Sequence, residues 1–567
     1  LMARITANGT ASSMAALLWS PSPTRIRQSN LQTLMDVIAN DGHRVGNYQE
    51  LYDFSVRLPK LFWSYVWQFG SFVQSQEHNC VLQDDHKIPG GKWFAGASLN
   101  FAQNVMKYRD HSSAIVSYNE HGKQQHLSYG QLFNRVARLS HWFKQQGIQP
   151  GDKIVAVMPN VAETIVSMLA ATSLGAVWSS CAADADVQEI MTRFEPLAAK
   201  ILITTDGYFH GGSSHSNLAK INQLLPRLKT LERLVVVPYV EPALNAQVLA
   251  EQLTGAHAIS THLFADSLDN NAEDIDFAPL PFAHPLYILH DADTPHPQPG
   301  IVHSVGGTLL QHYKELVLHT DVKADDVLFY HTHCGDMMWH WMVSTLMTGA
   351  TLVIYDGAPF YPQADALWQL AEQEKVSIFG GSSDYLHRLE ALHCQPNKTL
   401  SLDALRTILC NGSALRPNGF DFVYRDIKQD VCLSAMVSEP TLISSLALGC
   451  SILPVYQGEV QCLGLGMAVH VYDRQGESVQ PAEGVRGKLA CRAPCPSMAI
   501  GFYRGEESEQ NLSRYCLAQF SAHPIKTEGD ESITSNRDFK HRQKNRQYLS
   551  LVLHRSLLDS HNNLAHR

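Results

Sequence analysis

The feature that most constrains this chain is a recurring unit: a short apolar run, a helix-patterned stretch, then another apolar run. Lys153-Ile-Val-Ala-Val-Met158 is the clearest of the runs. With no polar alternation, it suits a strand covered on both faces, as in a parallel sheet. Just before it, Ser128 is placed to cap a helix whose Leu132, Val136, Leu139 and Phe143 share one face, and Gly147 to end it. Val161 to Leu174 reads as the next helix. The strand series continues through Ala176-Val-Trp-Ser179, Lys200-Ile-Leu-Ile-Thr204, Thr351-Leu-Val-Ile-Tyr355, Ser377-Ile-Phe379 and Arg406-Thr-Ile-Leu-Cys410. Repeated strand–helix–strand order predicts an α/β fold with two doubly wound parallel-sheet subdomains.

The pattern changes near residue 450. Gly458-Glu-Val-Gln-Cys462, Ala468-Val-His-Val-Tyr472 and Gly487-Lys-Leu-Ala-Cys491 alternate like antiparallel strands, with Asp473-Arg-Gln-Gly476 as a turn, so a β-rich subdomain is expected. The expected limits are 14–105 for an N-terminal cap region and 106–450 for the two α/β subdomains. The β-rich part is expected over 451–535 and a tail over 536–567. From Arg537 onward the chain carries seven Lys or Arg against two Asp. That tail reads either as one amphipathic helix around Leu549, Leu553 and Leu557 or as a solvated end.

Composition serves here to exclude. A chain of 567 residues exceeds what one core supports. A net charge of -10 without a long basic stripe in the main body excludes nucleic acid as the expected partner. The apolar stretch from Ile154 to Val177 contains Pro159 and Glu163, so no membrane span is expected there. Eleven cysteines without paired spacing fit free thiols in a reducing, cytoplasmic setting. Cys491 and Cys495 lie close together but lack a second pair at zinc-ligand spacing, so no metal site is expected. Leu1 precedes Met2, so residues 1–13 read as a start-site artefact or tag with Met14 a plausible true start, and no secretory segment is expected.

An ordered set of blocks resembles the acetoacetyl-CoA synthetases, a branch of the adenylate-forming acyl-CoA synthetases. Leu18-Trp-Ser-Pro-Ser22 and Arg25-Ile-Arg-Gln-Ser-Asn30 resemble the family's N-terminal cap. Trp93-Phe94, Leu99-Asn100-Phe-Ala-Gln-Asn104, Ser173-Leu-Gly-Ala-Val-Trp-Ser-Ser-Cys181 and Asp206-Gly-Tyr208 follow in register. Gly300-Ile-Val-His303, Met337-Met-Trp339, Gly419-Phe-Asp421, Leu453-Pro-Val-Tyr456, Gly464-Leu-Gly-Met-Ala-Val469 and Pro496-Ser-Met498 complete the match, over roughly residues 17–535. The resemblance implies a ligase of lipid metabolism that uses ATP, Mg and CoA to convert acetoacetate to acetoacetyl-CoA, AMP and diphosphate.

Residue by residue, this chain departs from that chemistry. The family's glycine-rich phosphate loop, which ends in lysine, is His290-Asp-Ala-Asp-Thr-Pro-His-Pro-Gln-Pro299 here. Pro295, Pro297 and Pro299 have no N–H to give a phosphate, Asp291 and Asp293 would repel it, and Thr294 alone remains as a candidate donor. The segment otherwise reads as a Pro-rich turn. On the nucleoside side, Leu409-Cys-Asn-Gly-Ser-Ala-Leu415 keeps Gly412 and Ser413, which serve either a ligand or an ordinary strand-to-helix turn. The later glycine-lined turn has become Ser438-Glu-Pro-Thr441. In the acyl region, Gly335-Asp-Met-Met-Trp-His340 replaces Gly-Trp-Met-Met-Trp-Asn. Gly335, Met337, Met338 and Trp339 are the candidate acyl-pocket residues, with plain core packing the alternative, and Asp336 opposes a carboxylate substrate.

Asp530 matches the family's ribose-binding aspartate loosely, with a surface turn as the alternative. The family's mobile C-terminal domain, with its catalytic lysine, is expected to be missing; Lys540 and Lys544 lack its context, so no catalytic residue is carried over. His331 and His333 are expected on one face of a strand, near His290, His296 and His340. Metal binding and drift of an abandoned pocket are both open for them. His303 is expected to pack structurally. The expectation is therefore an inactive, pseudoenzyme-like copy of the ligase or, alternatively, a non-catalytic binding or scaffold protein on the same fold.

Overall fold

The computed structural model describes residues 15–88, 90–253, 259–290, 299–472 and 487–503, with short strand pieces at 4–5, 478–479 and 551–552. Two large sheets organise it. The first runs in the order Ser260–Leu263, Arg233–Val237, Ile201–Thr205, Lys153–Met158, Val177–Ala182, Pro285–Leu289, Gly300–Ser304, Gly501–Tyr503. Its neighbours are parallel up to Pro285–Leu289, and the last two strands join antiparallel. The second runs Cys432–Ala435, Thr407–Asn411, Ile378–Ser382, Val327–Tyr330, Thr351–Asp356, Ser113–Asn119, Gly122–Ser128, parallel except for its final hairpin. The fold is thus α/β with doubly wound parallel sheets, as the alternation of apolar runs requires. Ile154, Val155, Ala156, Val157 and Met158 are all fully buried, which is why their run shows no polar alternation.

The helix before that strand is Tyr129–Gln145. Ser128 accepts from the Gln131 amide while the Gln131 side chain returns to the Ser128 N–H, a reciprocal capping box. Leu132, Val136, Leu139 and Phe143 are buried along it, and Gly147 takes up a left-handed φ of 80° where the chain turns away.

Helices Asn30–Asn40, Tyr48–Arg57 and Pro59–Gly70 form a cap whose Leu31, Leu34, Phe62 and Trp63 merge with the central core. Upstream, Trp19 donates its indole N–H to Asp430 at 2.7 Å, and Arg25 donates to the Arg406 carbonyl and the Thr407 hydroxyl at the edge of the second sheet. The block beginning at Leu18 thereby ties the N-terminal segment to residues about four hundred positions away.

Helix Val305–Tyr313 continues into a wide π-helical turn, Lys314–His319, with both segments buried. Inside it, Glu315 is 1% exposed. It accepts from Gln311 (3.2 Å), the Trp341 indole (3.1 Å), the Ser444 hydroxyl (2.6 Å) and the Ser445 amide (2.9 Å). The buried Lys314 ammonium is 3.4 Å away.

Two sequence expectations need correction. Gly458–Cys462 is not one strand; it splits into Glu459–Val460 and Cys462–Leu463. Between them the Gln461 side chain leaves the ladder to bond Cys450 and Leu453, satisfying buried backbone groups there. His331 and His333 are not on a strand: the strand ends at Tyr330, and the chain turns after the His331 N–H donates to Gly380. Val469–Tyr472 and Lys488–Cys491 do pair antiparallel; the turn expected at Asp473–Gly476 lies outside the described residues, as does the tail over 536–567 apart from Leu551–Val552, a strand piece paired with Ala490 and Cys491.

Candidate ligand crevice

The carboxyl ends of neighbouring strands in the second sheet, Tyr330, Ser382, Asn411 and Ala435, open on one side, where doubly wound sheets take their ligands. The loop leaving Tyr330 also touches the carboxyl ends of the first sheet. The Cys334 sulfur lies 3.0 Å from the carbonyl oxygens of both Met158 and Cys181, which share its single S–H donor. The crevice is therefore bounded by both sheets, with 331–336 between them.

Gly335 passes so close to the first sheet that a Cβ there would lie 3.2 Å from the Arg193 guanidinium and 3.4 Å from the Ala182 amide. A larger residue would require the Arg193 side chain to give by a few tenths of an ångström. Asp336 then caps helix Met337–Val343, accepting from the Met338 amide (3.0 Å) and the Thr332 hydroxyl (3.2 Å). Met337, Met338 and Trp339 are buried in the central core, and the Trp339 indole donates to Asn160 at 2.9 Å. Met338 also meets the Ser438 hydroxyl across the crevice.

Gly412 follows strand Thr407–Asn411 with a left-handed φ of 95°, which lets the chain turn back over Ser382 and Ser383. The Ser413 hydroxyl bonds Ser383 (2.7 Å) and donates to Asp384 (2.9 Å). Glu439 accepts from the Thr441 amide at 3.1 Å within the Ser438–Thr441 turn. At the phosphate-loop position, Pro299 is buried beside strand Gly300–Ser304. A Cβ on Gly300 would clash with Ile288 at 2.4 Å and approach the His290 ring at 3.2 Å. Burial, with the Arg193 guanidinium nearby, pushes the His290 ring down to about 3, so it is neutral. Thr294, with Asp291, Asp293, Pro295, His296 and Pro297, lies outside the described residues, as does Asp530.

The structure places Gly335, Met337, Met338 and Trp339 after strand Val327–Tyr330, and Gly412 and Ser413 after strand Thr407–Asn411, two strands along in the same sheet. It adds residues that sequence reasoning passed over: Arg193, Asn160 and Asp384. Arg193 sits in an ordinary amphipathic helix, Val187–Phe194, and gives no signal; Asp384 follows Gly380-Gly-Ser-Ser383, a strand-end pattern that could have drawn notice. Behind the crevice, His303, His312 and His340 are 1%, 0% and 0% exposed. His312 bonds the Ser344 hydroxyl at 2.7 Å and His340 the Asp336 carbonyl at 2.9 Å. The His303 ring faces the backbone of Pro440 and Ser497 and the His312 ring that of Ile443, outside good hydrogen-bond geometry, while the far ring nitrogen of His340 has no partner among the described residues. Among the described residues, no group of three or more His, Cys, Asp or Glu is placed to hold a metal ion. Nor is any described helix long and apolar enough to cross a membrane.

Two facing α/β units with a strand-end crevice between them define the class: an adenylation fold. Comparisons with known proteins agree. Residues 101–503 match the AMP-binding enzyme family, and residues 48–105 match the acetyl-coenzyme A synthetase N-terminus. Acetoacetyl-CoA synthetase of Xenopus tropicalis is 33% identical over 514 residues, 90% of this chain and 75% of that protein. Acetoacetyl-coenzyme A synthetase of Rhizobium meliloti is 34% identical over 499 residues, 88% of this chain and 75% of that protein. The solved acetoacetyl-CoA synthetase from Streptomyces lividans superposes with a TM-score of 0.81 at 30% identity, covering 89% of this chain and 76% of that one. The chain belongs to the AMP-binding enzyme family, in its acetoacetyl-CoA synthetase branch.

Proposed function

We propose that this chain keeps the adenylation fold of an acetoacetyl-CoA synthetase but has lost ATP-dependent activation of acetoacetate. The observation that carries this reading is the acidic rim of the crevice. Asp336, Asp384 and Glu439 stand beyond the carboxyl ends of three strands of one sheet, each engaged with nearby donors of its own chain. ATP, Mg and CoA are the family's reactants, and two of them are polyanions. A carboxylate about 4 Å from a phosphate or a substrate carboxylate costs from ~1 to ~4 kcal/mol, depending on screening. Pro299 adds to this, since it can offer neither the charge of the family's lysine nor an N–H. Carboxylates can hold magnesium but repel phosphate, and with Pro299 in the lysine's place the residues present do not fit a triphosphate.

The retained turn at Gly412 and Ser413 supports a second reading, a non-catalytic protein that binds a nucleoside-like ligand weakly on the same fold. Calorimetry with purified protein tests the pair. Losing several charge-assisted hydrogen bonds at about 1.5–3 kcal/mol each removes more than four decades of affinity. Millimolar Mg-ATP is therefore expected to give no binding heat, and adenosine to bind no worse than ATP. Neutralising the rim with D336N, D384N and E439Q together should strengthen ATP binding at least tenfold. Micromolar binding of ATP to the unaltered protein would overturn the proposal.

A further inference from the structure

Two cysteines that lack the spacing of a metal site come together in another way. Cys491 ends strand Lys488–Cys491, and Cys495 follows one bend later, just before the Pro496-Ser-Met498 turn. Their side chains are 0% and 2% exposed and share a small core with Leu442, Leu446 and Met467. Both are free thiols, and they hydrogen-bond to each other. Arg492 between them is exposed, so the pair lies just beneath the surface.

The two sulfurs sit in different surroundings. The Cys491 S–H has the Cys495 sulfur on one side and the Ala493 carbonyl, 3.3 Å away, on the other. The bond to Cys495, then burial, hold the Cys491 thiol well above its usual range. Cys495 receives that S–H, has the Ser497 hydroxyl 3.8 Å away, and feels the charge of the fully buried Lys314 ammonium. The bond from Cys491, against burial, brings the Cys495 thiol below its usual range. Donors of this kind stabilise a thiolate, and a thiolate beside a second thiol is the arrangement of a peroxide-sensitive pair. We propose that Cys491 and Cys495 are a modification site, an oxidisable dithiol that takes a small hydroperoxide as its oxidant.

The chemistry balances with hydrogen peroxide as co-reactant. The Cys495 thiolate attacks one peroxide oxygen, the O–O bond breaks, and the departing hydroxide takes up the Cys495 proton as water. Cys495 is then a sulfenic acid. The Cys491 sulfur attacks it, the S–O bond breaks, and the second hydroxide leaves as water with the Cys491 proton. Two thiols lose two electrons in all, and one peroxide becomes two waters. Burial sets the class of oxidant. A thiol 2% exposed is reached by peroxide through small local openings but not by a bulky disulfide.

Trypsin cuts after Lys488, Arg492 and Arg504, and so parts the two cysteines unless a disulfide joins fragments 489–492 and 493–504. The full chain is treated with hydrogen peroxide under native conditions, alkylated, and digested without reductant. Mass spectrometry should find those fragments joined and lighter by two hydrogens. Cys410, equally buried and pushed up to about 12 by that burial, is the internal reference. The pair should be consumed at least about tenfold faster than Cys410. C491S should leave Cys495 as a sulfenic acid that dimedone traps, and C495S should leave Cys491 unlabelled. Oxidised glutathione at the same dose should leave both thiols free for alkylation. The proposal is overturned if peroxide leaves both thiols alkylated, if the link forms only in urea, or if the pair is lost no faster than Cys410. Dimedone labelling of Cys491 in C495S, or equal oxidation by glutathione disulfide, overturns it too.

Discussion

Acidification from pH 6.5 to 4.5 is expected to unfold this protein in one cooperative transition. Four histidines are sealed in the core: His303, His312, His319 and His340, none more than 1% exposed. Burial, with the neighbouring His340 ring adding to it, pushes His303 down to about 3. Burial, against the pull of the Asp336 carbonyl, takes His340 to about 4, and burial first of all holds His312 and His319 well below the usual range. In the unfolded chain each ring titrates near ~6.5. The folded state therefore binds fewer protons, so stability is fully present above ~6.5 and is lost as pH falls toward the folded values. Each ring contributes about 1.4 kcal/mol per pH unit in that window. Four rings over two units amount to about 11 kcal/mol at most, comparable to the ~5–15 kcal/mol by which domains are stable at all. Raised carboxylates such as Asp356 oppose the trend over the same range but are fewer. Urea titrations followed by circular dichroism at pH 7.5, 6.5, 5.5 and 4.5 should show the midpoint collapsing. A midpoint unchanged down to pH 5 would refute the account of the buried histidines.

The second large effect is expected at Glu315. Removing its side chain in E315A leaves the Lys314 ammonium buried without its partner. The Trp341 indole and the Ser445 amide lose their acceptor as well. Breaking one side of a buried pair typically costs about 3–5 kcal/mol, because the remaining charge cannot be resolvated. Replacing both partners with apolar residues, K314M with E315L, should cost clearly less than E315A alone, since no charge is then stranded. Urea midpoints at pH 7.5 decide the matter. An E315A protein within 1 kcal/mol of the parent, or a double variant worse than the single, would contradict it.

These two features mark where sequence reading reached its limit. Strands such as Lys153–Met158 were legible because burial on both faces imposes an unbroken apolar run, and Ser128 announced its helix through local capping chemistry. Glu315 and Lys314 look like a solvent-facing charged pair on a helix. Only the packing of Ser444 and Trp341 around them shows otherwise, and those partners are 129 and 26 positions away. The crevice was half legible. Gly412 and Ser413 could be placed by their position after a strand and Gly335 by its motif, whereas Arg193 and Asp384 are joined to them only by the crossing of distant segments. His331 and His333 misled because a two-residue spacing suggests a strand face. The strand stops one residue earlier, where the chain turns toward the first sheet.

Glu120 gave no sequence signal either, for the same reason. Its three amide donors come from hairpin and loop residues about 90 and 240 positions away. Charge count alone would assign such a residue to solvent. The fold instead uses it to bind two α/β units across a hairpin tip.

The most direct test of the central claim is a coupled assay of AMP release by the purified chain with acetoacetate, ATP, magnesium and CoA at saturating concentrations. The acidic rim and the proline at the phosphate position predict no release above the rate without enzyme. An ordinary ligase would turn over at roughly 10 per second. Acetoacetate-dependent AMP release within about a hundredfold of that rate would contradict the reading of the crevice.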